Sequence, residues 1–245
     1  MATKNDSKER KAKIAQMQRE AKAAERRRTL TVAGAVLAVV VLMAGAVTYA
    51  IVTDTSRIPG GALTTLGVPA AAAACDPVTT DPTNGSGEHV GPGTPKPNET
   101  TDKYTTVPPS SGPHYVSPEY PNREFYTAAD RPRVETLVHN LEHGYTVLWY
   151  DSTATTAQLA TLKAVAAKAN ATTAARNKFI VSAWDNSYGT FPPGKHFALS
   201  HWSGEPGAPT KQAGHRQLCG NISGAVVNSF ITAYPLTSAP EAGAQ

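Results

Sequence analysis

Two histidines, His139 and His143, stand four residues apart in the segment 137–144 and are the residues best placed for chemistry. On a helix this spacing places both side chains on one face, with their Cβ atoms about 6 Å apart. Two neutral imidazole rings arranged in this way can bind one metal ion. The second nitrogen of each ring then needs a hydrogen-bond acceptor, which we expect Glu142, Asn140 or a backbone carbonyl to supply.

Two ligands do not complete a metal site, and two further histidines could add to them. His114 ends the segment 108–114 (PPSSGPH), where proline and glycine restrict the backbone and would hold the ring in place. His89 is the candidate for a fourth ligand. Copper or zinc suits such an imidazole set, and we predict one ion. The alternative is that His139 and His143 are ordinary buried histidines bonded to backbone groups.

The same residues also fit the H-x-x-E-H pattern of the inverted zinc peptidases, with Glu142 as general base. Those enzymes are much larger and take a further acidic ligand from a distant helix. The sequence contains no G-x-S-x-G and no C-x-x-C, so serine-hydrolase and thiol-exchange chemistry lack their motifs. A non-enzymatic role is therefore favoured and no catalytic residue is assigned. A metal-dependent hydrolase remains an alternative.

Three more histidines, His196, His201 and His215, lie in the C-terminal half of the chain. If the segment 196–202 is a strand, His196 and His201 point to opposite faces and cannot bind the same ion from that strand. We interpret these histidines as structural or surface residues.

An apolar segment, residues 29–52, contains no charged side chain. As a helix it would extend roughly 36 Å, which is enough to cross a hydrocarbon core of about 30 Å. The segment 29–52 is therefore predicted to be a transmembrane helix that is not cleaved. A cleaved signal peptide is the main alternative, although the apolar run and the basic region before it are both long for one.

Charge divides sharply at this apolar segment. Residues 1–28 carry ten Lys or Arg and four acidic residues, a net charge of +6, whereas the rest of the chain has a net charge of −2. Basic residues flanking a span stay in the cytoplasm, so the C-terminal domain is expected outside the cell membrane. The basic segment suits the headgroups of the lipid bilayer, and nucleic acid is not expected as a partner.

Cys75 and Cys219 are the two cysteines of the chain, and both follow the predicted span. In an oxidising compartment they are expected to form one disulfide. The bond would close a loop of about 144 residues and stabilise the fold by about 4 to 5 kcal/mol in the chain-entropy model. Lipidation of Cys75 is the alternative, but the apolar segment ends some 22 residues before it.

The rest of the chain divides into two parts. Residues 53–107 are rich in Pro, Gly and Thr and are predicted to be a linker, packed on the domain only from about residue 75. Residues 108–245 are predicted to form a small α+β (or α/β) sandwich of one sheet with helices. The expected elements are a helix capped by Asp130, a strand at 145–150, a helix at 155–169, strands at 179–184 and 196–202, and a helix at 222–234.

Two motifs, PPSSGPH at 108–114 and LVHNLEHGYTVLWY at 137–150, preceded by Glu88-His89-Val90, resemble the bacterial domain of unknown function 3105 family. The resemblance covers residues 88–241. It implies a small exported domain behind one N-terminal span, but no established activity. It places the signature histidines at His114, His139 and His143, with His89 as a weaker fourth.

We therefore hypothesise a membrane-anchored extracytoplasmic domain that binds copper or zinc through a histidine cluster. The first alternative is a non-enzymatic interaction subunit of a membrane or envelope complex, with Trp149, Trp184 and Trp202 partly lining a binding face for a protein partner. The second is the metal-dependent hydrolase.

Overall fold

The computed structural model describes residues 61–83, 87–205 and 208–244, together with Arg19, Lys22 and Glu25. The chain divides into two compact units, Met1–Arg57 and Ile58–Gln245. In the first unit, the three described residues are helical and exposed. The predicted span at 29–52 lies outside the described residues. Among the residues that are described, every helix is too short or too polar to cross a bilayer.

The second unit contains eight strands and three α-helices within its described residues. The strands are β1 (Thr79–Pro82), β2 (His89–Val90), β3 (His114–Tyr115), β4 (Phe125–Tyr126), β5 (Thr146–Tyr150), β6 (Phe179–Ala183), β7 (Phe197–Glu205) and β8 (Ala208–Cys219). The helices are α1 (Val134–Glu142), α2 (Thr156–Asn170) and α3 (Gly224–Ala233). Short 3-10 turns occur at Leu63–Thr65, Ala70–Ala72, Asn186–Tyr188 and Leu236–Ser238.

Six of the strands form one mixed sheet, in the order β1-β8-β7-β5-β6-β4, and β2 and β3 form a separate parallel pair. In the main sheet, β4, β6 and β5 are parallel, whereas β7, β8 and β1 join by antiparallel pairing. Helix α2 connects β5 to β6, as a crossover between parallel strands requires. The predicted α+β arrangement of a sheet with helices is confirmed, whereas the second, two-stranded sheet was not predicted.

Both faces of the main sheet are covered. Successive residues of β5 point to opposite faces of the sheet. Leu148 therefore packs with α2 and α3, whereas Trp149 packs with α1. Every residue of β5 and β6 is buried. The three tryptophans expected to line a binding face, Trp149, Trp184 and Trp202, are instead core residues of the α1 side. Their large apolar rings fill the space between α1 and the sheet, so they are not available to a partner.

Helix α1 begins later than predicted. Its N-cap is Arg133, and Asp130 does not cap it. The Asp130 carboxylate instead accepts hydrogen bonds from the backbone N–H and hydroxyl of Thr127 and from Arg123. Pro132 explains the difference, because the residue before a proline is driven toward extended backbone. Arg131 is therefore disfavoured as a helical residue, and an N-cap at Asp130 would require it to be the first one.

The segment predicted to be a linker contains more structure than expected. Leu63 and Leu66 are buried in the core formed by α2 and α3. Strand β1 pairs with β8 over four residues at the edge of the main sheet. Pro82, which has no backbone N–H, is tolerated because it lies on an edge strand.

The two cysteines form the predicted disulfide. Cys75 and Cys219 are bonded, with their Cα atoms 3.9 Å apart and a separation of 144 positions in sequence. The bond joins the segment before β1 to the end of β8. It therefore fixes the N-terminal part of the domain to the sheet.

Candidate metal centre

The pairing of two short strands brings the first two histidines together. In the parallel pair of β2 and β3, His89 lies directly opposite His114. The backbone N–H of His114 donates to the carbonyl of Glu88 at 3.0 Å, which fixes this register. Residues opposite each other in a ladder project to the same face, so the two rings lie 4.9 Å apart between centroids.

Helix α1 brings the third histidine to the same point. His139 Nδ1 lies 2.6 Å from the carbonyl oxygen of Tyr115, the second residue of β3, and donates to it. Its ring centroid is 4.6 Å from that of His114 and 5.2 Å from that of His89. Glu142 follows His139 by three residues and therefore lies on the same face of the helix. Its Oε2 atom is 3.0 Å from Nε2 of His114.

These four side chains can together surround one ion. One donor atom each from His89, His114, His139 and Glu142 lies within 4.8 Å of every other. In a tetrahedral zinc site with bonds of about 2.0 Å, neighbouring ligand atoms are about 3.3 Å apart. The group therefore needs only a small contraction to reach coordination distance.

The hydrogen bonds leave the right ring nitrogens available for a metal. His114 Nδ1 lies 2.9 Å from the carbonyl oxygen of Gly112, and His139 Nδ1 is bound to Tyr115. Because a carbonyl can only accept, each Nδ1 carries the proton and each Nε2 presents its lone pair, which in His139 accepts a hydrogen bond from His143 Nε2 at 3.0 Å. Backbone carbonyls thus orient both rings, as commonly seen behind metal-bound histidines.

Two of these nitrogens lack hydrogen bonds. Among residues 61–83, 87–205 and 208–244, His89 Nε2 and His114 Nε2 are buried and find no hydrogen-bond partner. Although His114 Nε2 lies 3.0 Å from Glu142 Oε2, the two atoms do not meet in hydrogen-bond geometry. Leaving such atoms unpaired costs about 1 to 3 kcal/mol each, and a bound cation would remove that cost.

Burial favours the neutral form of two of these rings, His89 and His139. Burial, followed by the neighbouring His114, lowers the pKa of His139 to about 4 and also lowers the pKa of His89. Burial by itself would raise the pKa of Glu142, but the close His114 ring, followed by His139 and His143, outweighs it, so the pKa is lowered. Near neutral pH, His89 and His139 are therefore uncharged and Glu142 is a carboxylate, which are the protonation states that metal binding requires.

A second group adjoins the first and shares Glu142 with it. One donor atom each from Glu142, His143 and Glu241 lies within 4.8 Å of the others. His143 Nε2 is 3.4 Å from Glu241 Oε2 and 3.0 Å from His139 Nε2. We call His89, His114, His139 and Glu142 the inner group, and Glu142, His143 and Glu241 the outer group.

The comparison with known protein families agrees with this arrangement of motifs. The family described as "Protein of unknown function (DUF3105)" matches residues 96–245. The chain belongs to the DUF3105 family. No curated protein and no solved structure matches the chain significantly. The match contains His114 and all of α1, whereas His89 precedes it.

The structure separates the predicted ligands of this DUF3105 chain into two sets. His89, His114 and His139 belong to the inner group, whereas His143 belongs to the outer group. Glu142, predicted to support the ligands from behind, instead offers a carboxylate oxygen to both groups. Its spacing of three residues from His139 was a usable signal, because such residues share a helix face.

Asn140 has a different role from the predicted one. Its side-chain oxygen accepts from the backbone N–H of Glu119 at 2.9 Å, and its amide donates to the Glu119 carbonyl at 3.2 Å. Its place in sequence, next to His139, puts it about 100° around the helix from that histidine. Asn140 therefore fixes the loop after β3 and does not orient an imidazole.

The remaining three histidines of the DUF3105 chain are bound within the fold. His196 Nδ1 lies 2.8 Å from Asp151, His201 contacts Thr146 and Ser238, and His215 Nε2 lies 2.7 Å from Ser203. None of them joins a metal-binding group among the described residues. These contacts agree with the interpretation of the three histidines as structural or surface residues.

Glu241 is the member of the two groups that the sequence did not predict. It lies near the C-terminus, about a hundred residues from α1 and outside any helix or strand. Its backbone N–H donates to the Glu142 carbonyl at 3.0 Å, which brings it to the end of α1. No local spacing could have revealed this long-range contact.

Proposed function

We propose that this domain binds one transition-metal ion, zinc or copper, through Nε2 of His89, His114 and His139 and one oxygen of Glu142. The observation that carries the proposal is the pair of buried ring nitrogens, on His89 and His114, that have no hydrogen-bond partner among the described residues. Native proteins rarely leave such atoms unpaired, and a bound ion is a recognised explanation.

The donor types support these metals. Imidazole nitrogen suits zinc and copper, and a carboxylate oxygen is compatible with both. Both cysteines of the chain are held in the disulfide, so no thiolate is available to favour a softer ion. Three neutral imidazoles and one carboxylate would leave the bound dication with a single net positive charge.

The number of donors supports binding over hydrolysis. Four protein ligands fill a tetrahedral shell, as in structural zinc sites, whereas catalytic zinc sites keep one position for water. With Glu142 as a ligand, the general base that the H-x-x-E-H pattern would need is occupied. Storage, delivery or structural support of an envelope process fits a site of this kind.

We further propose that residues 29–52 anchor the domain in the cell membrane, with residues 1–28 in the cytoplasm. The proposal is supported by the uncharged length of the segment and the basic residues before it. The disulfide, whose two cysteines follow this segment in sequence, is typical of an oxidising compartment.

Membrane anchoring is tested by cell fractionation with alkaline washing, combined with protease digestion of intact and opened cells. Release of the full-length chain into the soluble fraction would contradict anchoring.

Metal binding is tested on the full-length, untagged chain in mild detergent. The protein is stripped with a chelator, loaded with Zn²⁺ or Cu²⁺, desalted and measured by elemental analysis. We expect at least one retained equivalent, lost in His114→Ala and in His139→Ala. His196→Ala removes a histidine outside both groups and should keep the metal. Circular dichroism checks that each variant folds, and the absence of retained metal in the folded wild type would refute the proposal.

A further inference from the structure

Glu142 is a member of both the inner and the outer group. We infer that the outer group, Glu142, His143 and Glu241, is a second divalent-cation site, so that Glu142 bridges two ions. This inference rests on the proposed function, because the inner ion is one side of the bridge. It deepens that function by giving the centre a second, exchangeable position.

The distances place the two sites side by side. His139 Nε2, a ligand of the inner group, is 3.0 Å from His143 Nε2 of the outer group. His143 Nε2 is in turn 3.4 Å from Glu241 Oε2, close to the spacing of two ligands around one ion. Sites of two metals about 3.5 to 4 Å apart commonly share a carboxylate, and Glu142 can supply one oxygen to each.

The backbone holds the outer ligands in place. Glu241 is attached to α1 through the hydrogen bond from its N–H to the Glu142 carbonyl. Lys178 Nζ donates to the carbonyls of His143, Ala242 and Ala244, at 2.6, 3.2 and 2.7 Å. The C-terminal tail that carries Glu241 is thus fastened to the end of the helix that carries His143 and Glu142.

The two sites differ in exposure and in donor chemistry. The inner group has three imidazoles and one carboxylate and is mostly buried, whereas the outer group has two carboxylates and one imidazole. The Glu241 side chain is 55 % exposed, so solvent reaches the outer site and water can complete the coordination. We therefore expect the outer ion to bind more weakly and exchange faster than the inner one.

Charge makes the second ion possible. Two dications a few ångströms apart repel strongly, and a negative group between them reduces that repulsion. Glu142 occupies this position, and Glu241 adds a second negative charge on the outer side. The simpler reading is that Glu241 only accepts a hydrogen bond from His143, which would orient the ring without binding a cation.

Calorimetric titration of the stripped full-length chain with Zn²⁺ alone tests the inference. We expect two equivalents in the wild type, the second at least tenfold weaker. Glu241→Gln should lose only the weaker equivalent, because its amide keeps the size but removes the charge. Glu205→Gln, at an exposed glutamate paired with Lys211 far from the centre in sequence, is the matched control and should keep both.

Loading with Co²⁺ tests whether the two sites are adjacent. Two Co²⁺ ions bridged by Glu142 should couple magnetically, so the second equivalent should reduce the paramagnetic resonance signal of the first. A single equivalent in the wild type, or two that survive Glu241→Gln, or two uncoupled ions would overturn the second site while leaving the proposed function intact. Failure to bind any Zn²⁺ would overturn the proposed function itself.

Discussion

The imidazole rings of the inner group are prepared for a cation before one arrives. The carbonyl oxygens of Gly112 and Tyr115 accept hydrogen bonds from the Nδ1–H groups of His114 and His139, and burial disfavours a second proton on His139. The fold thus fixes the orientation of both rings, while the buried Nε2 atoms of His89 and His114 remain without a hydrogen-bond partner among the described residues. Such preorganisation raises affinity, because little ordering remains to be done on binding.

Glu142→Gln distinguishes a ligand from a general base. As a ligand, the carboxylate supplies the only negative charge of the inner group, so the amide should weaken Zn²⁺ binding at least tenfold in calorimetry. The variant should fold, because glutamine has the same shape. Unchanged Zn²⁺ affinity would contradict the ligand role and would favour the metal-dependent hydrolase, in which Glu142 acts on a bound water.

The pH dependence of stability can be predicted from a histidine outside the metal centre. Burial, followed by the nearby His215, lowers the pKa of His201 to about 3. The unfolded chain therefore takes up a proton near pH 6.5 that the native state refuses until about pH 3. The contribution of this residue to stability is fully present above pH 6.5 and is lost as the pH decreases through this window, by at most about 5 kcal/mol.

His201→Gln tests this assignment, since glutamine can still bond Thr146 or Ser238 but does not titrate. Urea unfolding, followed by tryptophan fluorescence between pH 4 and 7, should show a smaller dependence of the unfolding free energy on pH in the variant. The same slope in both proteins would show that His201 is not the group responsible.

At the residue scale, the four-residue spacing predicted correctly that His139 and His143 share one helix face. The three-residue spacing from His139 could also have identified Glu142. The meeting of His89 with His114 depends on strand pairing across 25 residues, and no periodicity encodes it. Glu241 depends on the path of the C-terminal tail. The sequence therefore identifies the donors of one element but not their partners from other elements.

Three elements converge to build the centre: β2, β3 and the C-terminal half of α1. Helix α1 ends at Glu142, with His143 as its C-cap, and this leaves room for the C-terminal tail beside the centre. Gly144 follows with a φ of +93°, a conformation that side chains disfavour. A Cβ at this position would lie 2.4 Å from the carbonyl oxygen of Leu236. The glycine is thus required both by its dihedral and by the close packing of the C-terminal segment.

Gly144→Ala should destabilise the domain more than a positive φ alone can explain. Gly194, with a φ of +77° and no atom within 4 Å of an added Cβ, is the matched control. We expect Gly194→Ala to cost about 1 kcal/mol from the dihedral, and Gly144→Ala about 3 kcal/mol or more because the backbone must move. Equal losses in urea unfolding would show that the contact with Leu236 is not rigid.

The predictability of the elements follows their hydrophobic patterns. β5 and β6 are continuous apolar runs, and α2 has a capping box of Thr155 and Gln158, so these were found close to their observed bounds. β8 contains Lys, Gln, Gly and Arg without clear alternation and was missed. β2 and β3, only two residues each, are too short for any sequence pattern to indicate.

At the scale of the whole domain, the disulfide links the segment before β1 to the end of β8. Neither Cys75 nor Cys219 belongs to the inner or outer group, so the bond should affect stability but not metal binding. The segment it fastens also carries the strand at the sheet edge and leads to β2, which bears His89.

Replacing both cysteines by serine should lower the free energy of unfolding by about 4 kcal/mol, as expected for a loop of this length. At a pH and temperature where the variant is still folded, it should retain its Zn²⁺ equivalents. Reducing agent should destabilise the wild type and leave the variant unchanged. Loss of Zn²⁺ from the folded variant would contradict the separation of the disulfide from the centre.

The most direct test of the metal centre is X-ray absorption at the zinc edge on the chain loaded with one equivalent of Zn²⁺. We expect three imidazole nitrogens and one carboxylate oxygen at about 2.0 to 2.2 Å from the zinc, and loss of one imidazole contribution in His89→Ala. A zinc ion surrounded mainly by water, or one whose imidazole ligands survive replacement of His89, His114 and His139, would contradict binding at the inner group.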